Sequence, residues 1–477
     1  MWVPSLLGVT LGVVVFATTF VVPVRADDVF WHLRVGELIV TEGAVPRQNR
    51  FSFSAAAHPW VAHEWLAEVA LYGARRAAGD RGLVLLAVLL NALACAGAGR
   101  LVLRRAGSPL AAAAVTLGCG LLLLGNFALR PYLFGNVALI ALLALLEEPR
   151  TGGRARPALL LGLFALWANL HGSVALGLAV AAAYLVLGGR SGWRGRGLDL
   201  GVALAGALLT PHHVHGLLLP LAYARQALGG GGFVSHIREW QPVALGSAPG
   251  VLLATAFASA VLAVALSRTR PRAVHLALGA AAALLGFSGL RHAGPAALLM
   301  TPLLARHLPP AGAAVAAWLG RGGAALARAD AGARDVAGVA RLWPAAALLV
   351  VAAAGAPVAP LTARAPAFYP RGLVAHLVAH PEGRLFHHLD WGGALIHGAW
   401  PAQPVFIDAR NDCYPAAVWA DYLRVHRLEP GWREALDRWR VEAIAYPRGS
   451  ELAAALRDDA GWVAAFEDEQ VVLFRRR

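Results

Sequence analysis

Hydrophobic and polar positions segregate along this chain in blocks much longer than any amphipathic period. The stretch 2–24 carries no charge, and comparable apolar stretches recur near 82–103, 109–125, 132–147, 157–170, 173–189, 199–216, 249–266, 273–289, 293–306 and 342–360. At about 1.5 Å of rise per residue, such stretches approach the roughly 30 Å hydrocarbon core of a bilayer. The pattern predicts an α-helical polytopic membrane protein with about eleven crossings. Between the first two stretches lies a polar, aromatic loop, 25–66, which Gly43 and Pro46 break into two short amphipathic pieces. From 361 onward, short β-rich runs at 404–407, 442–446 and 470–474 alternate with amphipathic helical stretches at 432–439 and 451–457. That texture predicts a membrane domain over 1–360 and a small α/β domain over 361–477.

The arginines orient the predicted spans. They cluster at Arg100, Arg104 and Arg105; at Arg150, Arg154 and Arg156; at Arg190, Arg194 and Arg196; at Arg268, Arg270 and Arg272; and at Arg321, Arg328, Arg334 and Arg341. Each cluster follows an even number of predicted crossings, and basic residues near the membrane favour the cytoplasmic side. The N-terminus is then cytoplasmic, and the first loop, 210–242, the 290–293 corner and the C-terminal domain are extracytoplasmic. Arg75, Arg76 and Arg81 run against this rule, so 61–78 reads as an interfacial helix. The first stretch has no basic segment before it and reads as an uncleaved span rather than a signal peptide.

Composition narrows the functional classes. With 58% hydrophobic and 15% charged residues and a mean hydropathy of +0.57, one soluble core is excluded. All 42 basic residues are arginine, so a P-loop, which needs a lysine on the phosphates, and Schiff-base chemistry, which needs a lysine amine, are excluded. The net charge of +14 lies between apolar runs rather than along one polar face, which argues for topology and against nucleic acid. Cys95, Cys119 and Cys413 form neither a disulfide framework nor a metal-type pair.

Polar residues beside apolar spans are costly unless they line a cavity or face water. They gather on the predicted outer side: Asp27, Asp28, His32, Glu64, Arg130, Asn169, His171, His212, His213, His215, Glu239, Arg291 and His292. Asp27 and Asp28 precede Phe30, Trp31 and His32; either could act as a general base whose pKa is raised by partial desolvation, or as a cap for a helix starting near Val29. The string from His63 to Glu68 begins like a zinc-protease HExxH, but its fifth position is Glu68 and the motif fails. Arg130 and the Arg291–His292 pair stand at outer ends of spans, as holders of a lipid phosphate or as snorkelling cations. The three histidines at 212, 213 and 215 read as metal ligands or as surface residues. Asp408, Arg410 and Asp412 read as surface ion pairs, or as part of a tail that contacts the acceptor or covers the active site.

Taken together these features resemble the GT-C superfamily of polytopic glycosyltransferases, the class with the protein O-mannosyltransferase-like and RgtA-like enzymes. The resemblance rests on Asp28 to Leu33, Gly36, Ile39, Pro46, Asn49 to Ser52, Pro59 to Val61 and His63 to Leu66 in the first loop. It continues in Asn169 to Gly172, Glu239–Trp240, Arg291–His292, Trp391 to Gly393, and Phe406 to Asp408 with Arg410. One departure matters: Asn49 stands where the group has a second first-loop acid, so that the two-carboxylate metal site loses a ligand and Glu64 is the nearest substitute.

What the resemblance implies is transfer of a sugar from a polyprenyl-phosphate carrier to a glycan, lipid or protein acceptor at the outer face of a bacterial inner membrane. Asp28, with Asp27 and Glu64, would supply the base. Arg130 and Arg291 would meet the departing phosphate. Trp31, His32, His63, Asn169, His171, Glu239 and His292 would complete the substrate site. Membrane lipids are the surrounding partner, nucleic acid is not one, and the one cofactor the resemblance admits is a divalent Mg or Mn ion. Two rival readings stay open: a non-catalytic transporter or assembly protein for lipid-linked saccharides, and a surface-polysaccharide ligase or polymerase. Transporters often carry paired broken helices in related halves, a pattern not found in this chain.

Overall fold

A computed structural model describes residues 28–125, 128–148, 155–228, 238–336, 360–365 and 367–477. Asp27, the predicted span 2–24, the span 342–360 up to its last residue and the glycine run 229–232 lie outside the described residues. The chain divides into two compact units.

The first unit, described over most of 81–225 and 238–336, is helical throughout. Helices Pro109–Gly125, Tyr132–Glu147, Ala155–Leu170, Val174–Leu187, Ala248–Ser267 and Ala273–Ser288 fall on predicted spans. The apolar run predicted at 199–216 is instead two helices, Trp193–Ala207 and Val214–Leu228. They part where Pro211 offers no amide hydrogen and His213 takes a left-handed φ of 45°. The run 293–306 likewise splits into Ala293–Leu299 and Thr301–Trp318, with Pro302 in the first turn of the second helix. Among the described residues two helices, Trp65–Ala106 and Ala248–Ser267, have the length and apolar composition to cross a bilayer, and six more are apolar but shorter.

This unit is inverted in polarity. Leu159, Val186, Val261, Leu284 and Trp318 are all more than half exposed, and among the described residues every exposed large hydrophobic except Val40, Val378 and Val463 belongs to this unit. An exterior with so many exposed large apolar side chains is a poor match to water and a good one to lipid. Its interior meanwhile holds a carboxylate. Glu147, the last residue of the predicted span 132–147, is buried, with Tyr184 Oη at 2.6 Å, Arg105 Nη2 at 2.8 Å, His275 Nε2 at 3.0 Å and Arg272 Nη1 at 3.2 Å. One side chain thereby ties helix Tyr132–Glu147 to Trp65–Ala106, Val174–Leu187 and the start of Ala273–Ser288.

Helix Trp65–Ala106 breaks at Ala78 (φ −142°, ψ 23°) and Gly79 (φ 60°, ψ −153°). The second of these conformations is one that glycine alone adopts without strain. Its N-terminal piece, near the 61–78 helix predicted from the arginine pattern, belongs to the second unit.

The second unit combines the first loop, 28–80, with the tail, 360–477. The tail carries a four-stranded sheet of order β1-β2-β4-β3, where β1 is Leu385–His387, β2 Ala443–Pro447, β3 Trp462–Glu467 and β4 Val471–Arg476. β1 and β2 are parallel (Leu385 opposite Ala443), and β4 runs antiparallel to both β2 and β3. Helices Trp432–Arg438 and Glu451–Arg457 form as predicted. The predicted strand at 404–407 does not join the sheet. Val405 pairs with the first loop, donating to Phe51 O at 2.9 Å and accepting from Phe53 N at 3.1 Å, while Pro404 has no amide hydrogen to offer a ladder.

Helix Asp28–Glu42 packs its Gly36 directly against the main chain of Glu68, whose carbonyl oxygen a Cβ at residue 36 would strike. Its Arg34 reaches the tail, donating to Ile396 O at 3.3 Å and His397 O at 2.7 Å. Gly36→Ala is therefore expected to separate the two first-loop helices and cost about 1–3 kcal/mol, read as a lowered unfolding temperature of the detergent-purified chain; an unchanged temperature would contradict the packing described.

Candidate functional site: a buried carboxylate and guanidinium cluster

The carboxylates of the second unit are placed by the starts of two helices. Asp28 opens helix Asp28–Glu42, is 5% exposed, and accepts from Trp31 Nε1 at 3.3 Å. A carboxylate in a first helical turn is favoured by the helix dipole, so the capping and catalytic roles weighed for Asp28 are compatible. One turn on, His32 is buried with its ring 3.6 Å from that of Trp31. His32 Nδ1 lies 3.2 Å from Glu68 Oε1, and its Nε2 lies 3.9 Å from Glu64 Oε2. His63 Nε2 stands 3.7 Å from the other Glu64 oxygen. Asp28, Trp31, His32, His63 and Glu64, all singled out in the sequence, thus share one neighbourhood.

Glu68, the position at which the zinc motif fails, is the most deeply held acid of the group. It is 1% exposed, and its Oε2 has no hydrogen-bond partner among the described residues. Burial above all, then the Glu64 carboxylate, pushes its pKa well above the ordinary range, with Arg410 pulling the other way. The sequence signal was its spacing four residues after Glu64, which a helix turns onto one face.

Arg410, read as part of a surface ion pair, is instead buried with Asp408 at 2% and 0% exposure. Its Nε donates to Asp408 Oδ1 at 2.8 Å, and its Nη2 donates to Asp408 Oδ2 at 2.7 Å and to Asn49 Oδ1 at 3.0 Å. The guanidinium carbon lies 4.6 Å from the Phe51 ring centre, 4.7 Å from that of Trp60 and 6.0 Å from that of Trp31. Tyr414 donates its hydroxyl to Asp408 as well. Burial opposes the Asp408 charge, but Arg410 and these hydrogen bonds outweigh it and hold the carboxyl below its usual range.

In the first unit a second cluster forms around Glu239. Arg130 Nη1 donates to Glu239 Oε2 at 2.6 Å, Arg291 Nη1 approaches Oε1 at 3.4 Å, and the Arg291 guanidinium stacks 3.9 Å over Trp240. Burial opposes the Glu239 charge, but the two arginines keep it ionised. Burial, then Arg291, lowers His292 to about 4, so the cluster carries two cations and one anion. Asn169 is tied down: its amide donates to Ala165 O at 2.7 Å and Leu209 O at 2.8 Å. His171 Nδ1 contacts Ser173 Oγ at 2.8 Å, the hydroxyl that also receives Trp167 Nε1 at 2.9 Å. His212 is buried while His213 and His215 are exposed, and among the described residues no three His, Cys, Asp or Glu side chains converge as a metal set.

In structural comparison the chain aligns over 92% of its length with 69% of an Archaeoglobus fulgidus oligosaccharyltransferase in its apo form, at 13% identity and a TM-score of 0.56. The oligosaccharyltransferase AglB of the same organism, in complex with an inhibitory peptide and a dolichol-phosphate, aligns over the same shares at 11% identity and a TM-score of 0.55. The chain has the fold of these oligosaccharyltransferases. ArnT from Cupriavidus metallidurans in the apo state aligns over 98% of this chain and 97% of its own at 14% identity and a TM-score of 0.49. No family model matches the sequence, and no curated protein does. On this chain the first-loop aromatic and acidic residues come together in the second unit, and the Arg130, Glu239 and Arg291 group forms in the first.

The raised pKa of Glu68 has a signed consequence. A carboxyl whose folded pKa is raised contributes stability below its unfolded value of about 4.3 and loses it as pH rises through the folded value. Glu68→Gln, fixed in a neutral form, is expected to be more stable than wild type at pH 8, with the gap closing as pH falls towards 5. Thermal unfolding across that range tests it, and a gap independent of pH would contradict the buried neutral acid.

Proposed function

We propose that the chain is a membrane glycosyltransferase that moves a sugar from a polyprenyl-phosphate carrier to an acceptor hydroxyl at the extracytoplasmic face of a bacterial inner membrane. The observation that carries this reading is the acidic and aromatic cluster of buried Asp28, Trp31 and His32 with half-buried Glu64 on a GT-C-like fold. The apolar exterior of the first unit supports the membrane setting. The dolichol-phosphate in the AglB complex supports a lipid-linked donor.

In this reading Asp28 takes the proton from the acceptor hydroxyl, and Asp27 and Glu64 are the neighbouring acids that could share it. The oxygen attacks the anomeric carbon as the bond to phosphate breaks, and the lipid phosphate leaves with its electron pair. The Trp31 and Trp60 rings offer apolar faces for the sugar, and His32 and His63 offer polar edges. Within the first unit, Arg130 and Arg291, balanced by Glu239 and flanked by His292, are proposed as a group that binds phosphate. Asn169 and His171, held by the loop contacts described above, are proposed as further substrate-binding residues of the first unit.

Asp28→Asn is expected to lower transfer by about 10²–10⁴-fold while leaving membrane insertion intact, measured with a lipid-linked sugar donor in isolated membranes; full activity would remove Asp28 as the base. A reporter fused after Arg477 is expected to read extracytoplasmic, and a cytoplasmic signal would overturn the proposed orientation.

A further inference from the structure

The position at which the resemblance carries a second first-loop acid is Asn49, and its amide is committed. Oδ1 accepts from Phe51 N at 3.1 Å and Arg410 Nη2 at 3.0 Å, while Nδ2 donates to Ser52 Oγ at 2.8 Å. A divalent cation needs several hard oxygens aimed at one point. At Asn49 the available oxygen already faces a guanidinium, and Asp408, the acid bound to that guanidinium, has both oxygens occupied by Arg410 and Tyr414. The donor set does not fit a metal ion at this position.

We infer that Arg410 is the resident cation of the first-loop site, a positioning residue from the tail held against Asn49 and Asp408. Arginine suits this because it stays charged at every accessible pH and presents a planar fork to a carboxylate and flat faces to rings. Asp408 clamps the fork, and Phe51, Trp60 and Trp31 wall the faces. Trp31 is also the ring whose Nε1 bonds Asp28, so fixing the guanidinium fixes the indole that orients the proposed base. Arg410 Nη1 and Glu68 Oε2 are buried without a hydrogen-bond partner among the described residues, and the two groups act on one another electrostatically.

The inference rests on the glycosyltransferase reading for its activity arm only. The full chain, purified in detergent and stripped with chelator, is titrated with Mn2+ and followed by electron paramagnetic resonance. Wild type is expected to show no stoichiometric bound Mn2+, and the double variant Asn49→Asp with Arg410→Gln is expected to gain one site. Transfer is expected to be unchanged in chelator. It is expected to survive in part in Arg410→Lys, which keeps the charge without the fork, and to fall at least 100-fold in Arg410→Gln. Stoichiometric Mn2+ on wild type that Asp28→Asn abolishes, or transfer lost in chelator and restored by Mn2+, would overturn the proposal. The wild-type titration decides it even if the variants do not fold. Absence of transfer under every condition would count against the glycosyltransferase reading alone.

Discussion

A guanidinium withdrawn from water must be met in its plane by acceptors and on its faces by rings, and the second unit is organised around meeting that demand at Arg410. The acceptors come from opposite ends of the chain: Asp408 from the tail and Asn49 from the first loop. The rings, Phe51, Trp60 and Trp31, are all first-loop residues. Removing any one partner leaves charge or a donor exposed to an apolar environment, which is why such clusters are costly to break even where their net contribution to stability is small. The neighbouring main-chain bonds between Val405 and Phe51 and Phe53 follow the same seam. The consequence is that the loop bearing Asp28 takes its shape from a segment some 380 residues away in the chain, a separation read directly from the numbering.

The first unit solves the reverse problem. Its surface is apolar and its few interior charges are compensated, so Glu147 is met by a phenol, an imidazole and two guanidinium groups drawn from three other segments. The Glu239 group follows the same logic with two arginines and a tryptophan face. In both, the carboxylate is the element that lets like-charged arginines approach. A charge-rich site can persist beside apolar helices only when its members neutralise one another locally.

Much of this was legible without coordinates. Helices such as Pro109–Gly125 and Tyr132–Glu147 match their predicted ranges because an unbroken apolar run bounded by Gly, Pro or Arg leaves few alternatives. The first-loop cluster was legible in its membership, since Asp28, Trp31, His32, His63 and Glu64 stand close in the chain. Glu68 was not, because its importance comes from complete burial beside His32, and burial is a property of the packed unit. The interruption near Pro211 was hidden inside a run whose hydropathy alone suggested continuity.

The sequence by itself determined the class of the molecule, the helical and mixed halves of its secondary structure, and the residue types capable of acid, base and phosphate chemistry. These follow from local periodicity, from the scarcity of charge and from the absence of lysine, all of which are properties of composition and near neighbours. Only the tertiary structure decided which of the polar residues act together. Asp408 and Arg410 passed from a surface pair to a buried clamp, Asn49 from a missing acid to the acceptor of a guanidinium, and residues 404–407 from a sheet strand to a seam with the first loop. Each of these depends on contacts between segments far apart in the chain, and no local pattern encodes which distant partner will satisfy a buried charge.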